Sequence, residues 1–126
     1  MSKRADKETT LALLGDEAVA LGAIHAGLFA AYGYPGTPST EILEYVLEQA
    51  ETANGSFIAK WCSNEKTAME AALGTSLAGK RALVTMKHVG LNVAADPFMN
   101  SALLGINGGF SVRRNGHAFG RAKVRS

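Results

Sequence analysis

Short apolar runs suited to strands alternate with longer stretches of helical periodicity through most of this chain, and the connections between successive strand-like runs are too long to be hairpins. The runs are Leu11 to Leu14, Phe57 to Trp61 and Arg81 to Met86. Strands joined by helical crossovers lie parallel, so the pattern predicts an α/β fold, a three-layer arrangement in which a parallel sheet is flanked by helices. A first helix is expected from about Glu17 to Ala31, ending near Gly33, with Gly22 and Gly27 at close-packing positions. Thr37-Pro38 reads as an N-cap followed by proline at the first helical position, opening a helix to about Gln49. On that helix Ile42, Tyr45 and Val46 recur at helical spacing, while Glu41, Glu44, Glu48 and Glu51 form a stripe expected to face solvent. Ser63 or Asn64 caps a helix that begins at Glu65 and is stopped by Gly79, and Pro97 opens a last helix reaching Leu104.

A chain of 126 residues supports one domain with a modest core and no second full domain. Its apolar stretches are broken well before the roughly 18 residues a bilayer span needs, and Met1 to Glu8 lead into no signal-like hydrophobic region, so no membrane association and a cytoplasmic location are expected. The single cysteine, Cys62, excludes an internal disulfide, and one thiol cannot by itself hold a structural zinc or an iron–sulfur cluster. It is expected as a small residue at a strand end, and no metal-ligand set is assigned.

Charge divides the chain unevenly. Residues 1–109 carry eight Lys or Arg against eleven Asp or Glu, whereas residues 110–126 carry five against none. The expected organisation is a disordered N-terminus over residues 1–10, a partial domain over 11–109, and an aberrant or disordered basic tail over 110–126. Such a tail attracts phosphates in principle, but the abrupt change of composition after Gly109 argues for a frameshifted or otherwise aberrant end, and no nucleic-acid role is expected.

Glu65 is the residue that most needs an explanation. It falls in the first turn of its helix, where an acid complements the helix dipole by roughly 0.3 to 1 kcal/mol without any function. Two unusual loops flank it in sequence, Tyr32 to Glu41 and Met86 to Val93. In open α/β sheets, loops at strand ends are where sites gather.

The stretches Tyr34-Pro35-Gly36-Thr37-Pro38-Ser39, Asn64-Glu65-Lys66 and Met86-Lys87-His88-Val89-Gly90-Leu91-Asn92, with Leu13 to Ala18 before and Ala94-Ala95-Asp96-Pro97 after, carry a family resemblance. From about Leu11 to Gly109 the chain resembles the N-terminal, pyrimidine-binding domain of the indolepyruvate ferredoxin oxidoreductase α subunit, in the thiamine diphosphate-dependent 2-oxo acid oxidoreductase superfamily. The resemblance implies that Glu65 is the glutamate that hydrogen-bonds the cofactor's aminopyrimidine and activates it for oxidative decarboxylation of a 2-oxo acid to an acyl-CoA. It implies that Thr37, with Pro35 and Gly36, lies beside the substrate carboxylate, although Thr37 equally suits an ordinary N-cap. It implies that Lys87, His88, Gly90, Leu91 and Asn92 border the cofactor, Gly90 allowing close backbone approach.

The resemblance also implies partners that this sequence does not contain. The cofactor's diphosphate and Mg²⁺ belong to a domain, or a β subunit, with a Gly-Asp-Gly motif absent here, and the iron–sulfur clusters and ferredoxin contact belong to the full-length enzyme. The isolated chain is therefore expected to show no turnover and at most feeble affinity for thiamine diphosphate. Two alternatives stand beside this reading: a non-catalytic assembly or binding module, and a nonfunctional truncated gene product.

Overall fold

The computed structural model describes residues 8–114 and 119–125. The expectations for residues 1–7, 115–118 and 126 lie outside the described residues. Along the chain run β1 (Glu8–Leu14), α1 (Gly15–His25), β2 (Ala30–Gly33), α2 (Thr40–Thr52), β3 (Ile58–Trp61), α3 (Glu65–Leu77), β4 (Ala82–Thr85), the single turn α4 (Gly90–Val93), α5 (Ala95–Leu104), β5 (Phe110–Arg113) and β6 (Phe119–Arg125). Four of the strands form a parallel sheet in the order β3-β2-β4-β5.

The sheet separates two apolar layers, because alternate side chains of a strand point to opposite faces. On one face Ala31 and Leu83 pack with Ala20 of α1 and with Ile42, Leu43 and Val46 of α2. On the other, Ala82, Val84 and Met86 pack with Ala68, Met69 and Ala72 of α3 and with Ala94. All four residues of the inner strand β4 are buried, as expected of a parallel strand covered on both sides.

Several sequence expectations give way here. The helix expected to reach Ala31 ends at His25, because Gly27 takes φ of 83° and turns the chain out of the helix, and Ala30–Gly33 form the inner strand β2. Gly22, expected at a close contact, has nothing within 4 Å of where a Cβ would stand. The first strand begins at Glu8 rather than Leu11 and lies outside the parallel sheet, pairing antiparallel with β6; Leu11 and Leu14 stay 37% and 45% exposed, which a buried parallel strand would not tolerate. The sheet also continues past Gly109: Phe110–Arg113 pair parallel with Ala82–Thr85, the exposed edge position accommodating the polar residues that would unsettle a central strand. Thr37 is not the cap of α2, which begins at Thr40 after Ser39. Glu41 is half-buried, with Oε2 out of reach of solvent, so only Glu44, Glu48 and Glu51 of the acidic stripe face water.

The α3 boundaries follow local chemistry closely. Asn64, in extended conformation, accepts the Thr67 N–H through Oδ1 at 2.8 Å, and Gly79 with φ of 83° lies just past the last turn. Pro97 sits in the first turn of α5, where the missing N–H has no intrahelical partner to lose.

Candidate functional site

All strands of a parallel sheet end on the same edge, and here the ends of β2, β3 and β4 deliver the three loops that the sequence singled out. Main-chain hydrogen bonds continue the ladder beyond the strands and fix how each loop departs. Cys62 N donates to Gly33 O at 2.8 Å, Tyr34 N to Thr85 O at 3.4 Å, and Met86 N to Arg113 O at 3.1 Å.

Glu65 is the first residue of α3. The Asn64 cap, which also accepts from Thr67 Oγ1 at 3.0 Å, holds the mouth of that helix in place. The Glu65 side chain is half-buried, and its carboxylate has no hydrogen-bond or ion-pair partner among the described residues. It lies directly against Gly90: a Cβ added there would stand 2.7 Å from Oε1 and 2.8 Å from Cγ of Glu65. Glycine is therefore required by close approach, the first turn of α4 covering one side of the carboxylate.

The loop between β2 and α2 is fastened from within. Gly36 N donates to Thr40 Oγ1 at 2.9 Å, and both Ser39 N and Ser39 Oγ donate to Gly36 O at 3.1 Å. This arrangement takes the capping task away from Thr37, which precedes a cis peptide to Pro38 and is exposed along with Pro35 and Tyr34. Gly36 meets the third loop: its Cβ would stand 2.7 Å from Lys87 Cβ and 3.3 Å from Lys87 N. In that third loop Gly90 N closes a turn onto Lys87 O at 2.8 Å, leaving Lys87, His88 and Asn92 exposed. Leu91 turns inward and packs against the cluster containing Met69 and Met86.

The structure thus joins Glu65 to Gly90 and Gly36 to Lys87, while Thr37, Pro35, His88 and Asn92 lie exposed on the same loops and make no hydrogen bond to Glu65. Beneath them, Thr85 is 1% exposed and its Oγ1 finds no hydrogen-bond partner among the described residues; it stands 2.5 Å from where a Cβ on Gly33 would be. Nothing in the sequence marks Thr85, or Ser39 and Thr40 as the loop's fasteners. Arg113 ends β5 and Arg114 follows it on this same edge, within the stretch that the sequence assigns to a basic tail. Cys62 sits at the strand end as expected; burial raises its pKa, outweighing the lowering by Lys60, so the thiol is held in the unreactive protonated form. No described helix is long and apolar enough to cross a membrane, and no group of three or more potential metal-ligating side chains occurs among the described residues.

Comparison with known proteins places this arrangement in context. The family described as pyruvate flavodoxin/ferredoxin oxidoreductase, thiamine diphosphate-binding, matches residues 21–98. Indolepyruvate oxidoreductase subunit IorA of Archaeoglobus fulgidus is 52% identical over 100 residues, covering 78% of this chain and 16% of that protein. The same subunit of Thermococcus kodakarensis is 45% identical over 100 residues, covering 79% and 15%. The chain spans about one sixth of the length of these relatives. Among solved structures, 2-oxoglutarate:ferredoxin oxidoreductase from Magnetococcus marinus, with 2-oxoglutarate, coenzyme A and succinyl-CoA bound, aligns with a TM-score of 0.66 at 18% identity over 92% of this chain and 31% of that one. That likeness is one of fold.

Proposed function

The chain belongs to the pyruvate flavodoxin/ferredoxin oxidoreductase family of thiamine diphosphate-binding domains, and on that premise we propose that it forms the pyrimidine-facing wall of the cofactor site in an indolepyruvate-type 2-oxo acid:ferredoxin oxidoreductase. The observation that carries the reading is Glu65: a carboxylate at a helix mouth, without a partner among the described residues and walled on one side by a glycine that leaves no room for a Cβ. When bound, thiamine diphosphate supplies the carbon nucleophile that adds to the keto carbon of a 2-oxo acid.

Glu65 would share a proton between its carboxylate and a ring nitrogen of the bound cofactor. A half-buried carboxylate with no partner among the described residues is suited to that, since no donor among them competes for its oxygens. Gly90 and Leu91 would form a wall for the ring, and Lys87, His88 and Asn92 would offer donors around its edge. Thr37, at the tip of the loop with Pro35 and Gly36, orients the substrate carboxylate near the N-terminus of α2, whose free N–H groups favour anions. The cofactor's diphosphate and Mg²⁺, the iron–sulfur clusters and the ferredoxin contact fall to other parts of the longer enzyme or to a β subunit.

The test replaces the matching segment of the A. fulgidus subunit with residues 11–109 of this chain and assays 2-oxo acid oxidation. The chimera is expected to turn over, and Glu65→Gln within it to lower kcat by about 10²-fold or more, the scale of a lost acid–base group. An active chimera indifferent to Glu65→Gln would refute the assignment. A second reading, a docking module without chemistry, draws on α5, where Phe98, Met99, Leu103 and Leu104 are 39%, 65%, 82% and 57% exposed; it predicts assembly of the chimera with no turnover.

A further inference from the structure

A basic hollow at the end of β5 shares only His88 with the thiamine reading, which leaves Arg113 and Arg114 unassigned. His88, Val112, Arg113 and Arg114 line a space of about 430 Å³ on the carboxyl edge of the sheet. Among the described residues no carboxylate lines it, and neither arginine nor His88 has a side-chain hydrogen bond or ion pair. The arginines are positioned by backbone: Arg113 pairs in register with Thr85, and its carbonyl accepts the Met86 N–H at 3.1 Å. The same bonds hold the start of the loop that carries His88, so both sides of the hollow are referred to one ladder.

The opposite edge of the sheet has a comparable space, lined by Lys80, Arg81 and the glycines Gly27, Gly79, Gly108 and Gly109. Its cations are already engaged. Arg81 Nη1 donates to Ala26 O at the carboxyl end of α1, and Lys80 stands 5.6 Å from the centre of the Phe29 ring. Helices in such a fold direct their carboxyl ends, with partial negative charge, toward that edge, which accounts for the cations there and disfavours an anion. At the carboxyl edge of the strands the helix amino ends supply the opposite sign.

We propose that His88, Arg113 and Arg114 form a binding site for a phosphate group. Phosphate fits better than carboxylate because it presents three terminal oxygens and up to two charges, matching two guanidinium forks and an imidazole, whereas one fork satisfies a carboxylate. The space exceeds what the phosphate alone fills, leaving room for the remainder of a phosphorylated ligand.

The experiment follows the His88 and His25 ring resonances of this 126-residue chain by NMR during titration with inorganic phosphate, phenyl phosphate and acetate at constant ionic strength held with chloride, so that general screening does not vary. The expected result is a saturable movement of His88 with both phosphates, with His25 still and acetate without effect. Tighter binding of phenyl phosphate identifies the ligand class as a phosphorylated compound, and equal binding identifies the free ion; both support the site. Arg113→Gln with Arg114→Gln is expected to weaken binding at least tenfold, and Lys80→Gln to leave it unchanged. Glu65→Gln is also expected to leave it unchanged, which separates this site from the thiamine reading. Absence of saturable movement, parallel movement of His25, or an equal response to acetate would overturn the proposal, and these readouts on the unaltered chain decide it even if the double variant does not fold.

Discussion

Replacing Gly90 with alanine tests the contact on which the site is built. The new Cβ would stand 2.7, 2.8 and 3.1 Å from Oε1, Cγ and Cδ of Glu65, about 0.5 to 1 Å inside ordinary contact. Oε1 is the free end of the side chain and can swing away, but Cγ is tied to the first turn of α3 by one bond more than Cβ, so the clash cannot be relieved at the tip alone. Overpacking of this kind typically costs about 1 to 3 kcal/mol. Opposing it, alanine at a helical position gains roughly 0.5 to 1 kcal/mol over glycine. The net for Gly90→Ala is a loss of about 1 kcal/mol. In a Glu65→Ala background the atoms in the way are gone and only the helical gain remains, so the same change becomes stabilising. The coupling between the two sites is then about 1.5 to 2 kcal/mol, or roughly 1 M in urea midpoint for an m-value near 1.5 kcal/mol/M. Urea unfolding of the four proteins followed by circular dichroism measures it. Equal effects of Gly90→Ala in both backgrounds would refute the contact, and with it the argument that glycine is required there to shape the wall beside Glu65.

Gly36→Ala should destabilise by about 1 to 3 kcal/mol, because its Cβ would meet Lys87 Cβ and main-chain N; Lys87→Ala should not rescue it, since alanine keeps the clashing Cβ, and a rescue seen in thermal melts would disprove the geometry. Thr85→Val should be neutral or raise stability by about 1 kcal/mol, because the buried hydroxyl it removes has no partner among the described residues; a clear loss in urea midpoint would mean that the hydroxyl is satisfied. Lys66 Nζ lies 3.1 Å from Asp96 Oδ2, and that hydrogen bond, with the charges of Asp96 and Glu70, raises the lysine pKa. The folded value lies above the unfolded one, so this contribution is complete below the ordinary lysine range and disappears as pH rises through the raised value. The stability difference between the unaltered chain and Asp96→Asn should accordingly be present at neutral pH, shrink at strongly alkaline pH and fade in 1 M salt; a difference constant with pH would contradict the pairing.

Much of the candidate site was legible because its signals are local. Asn64 before Glu65 announces a helix mouth, and the structure forms that cap with one side chain and the next turn. Gly79 and Pro97 marked helix boundaries for similarly local reasons. The errors came where a distant partner decides. Ala30-Ala31-Tyr32-Gly33 has small, weakly patterned side chains that continue a helical reading as easily as they start a strand, and it is β3 and β4 on either side that make it the inner strand β2. Thr37-Pro38 has the composition of a cap and first turn, but Ser39 and Thr40 close the loop onto Gly36 and move the helix start two residues on. Residues 110–113 read as the start of an aberrant tail because composition changes abruptly after Gly109; at an edge, one face of the strand stays wet and Arg113 is tolerated.

By itself the sequence determined the α/β class, the helix that begins at Glu65, and the three loops that matter, because helical period, caps and turn residues act within a few positions along the chain. Only the tertiary structure decided the strand order β3-β2-β4-β5, the detachment of β1 into a ribbon with β6, and the contacts of Gly90 with Glu65 and Gly36 with Lys87. Those depend on which apolar faces bury one another across separations of 25 residues or more, a competition among whole elements that local propensity does not register.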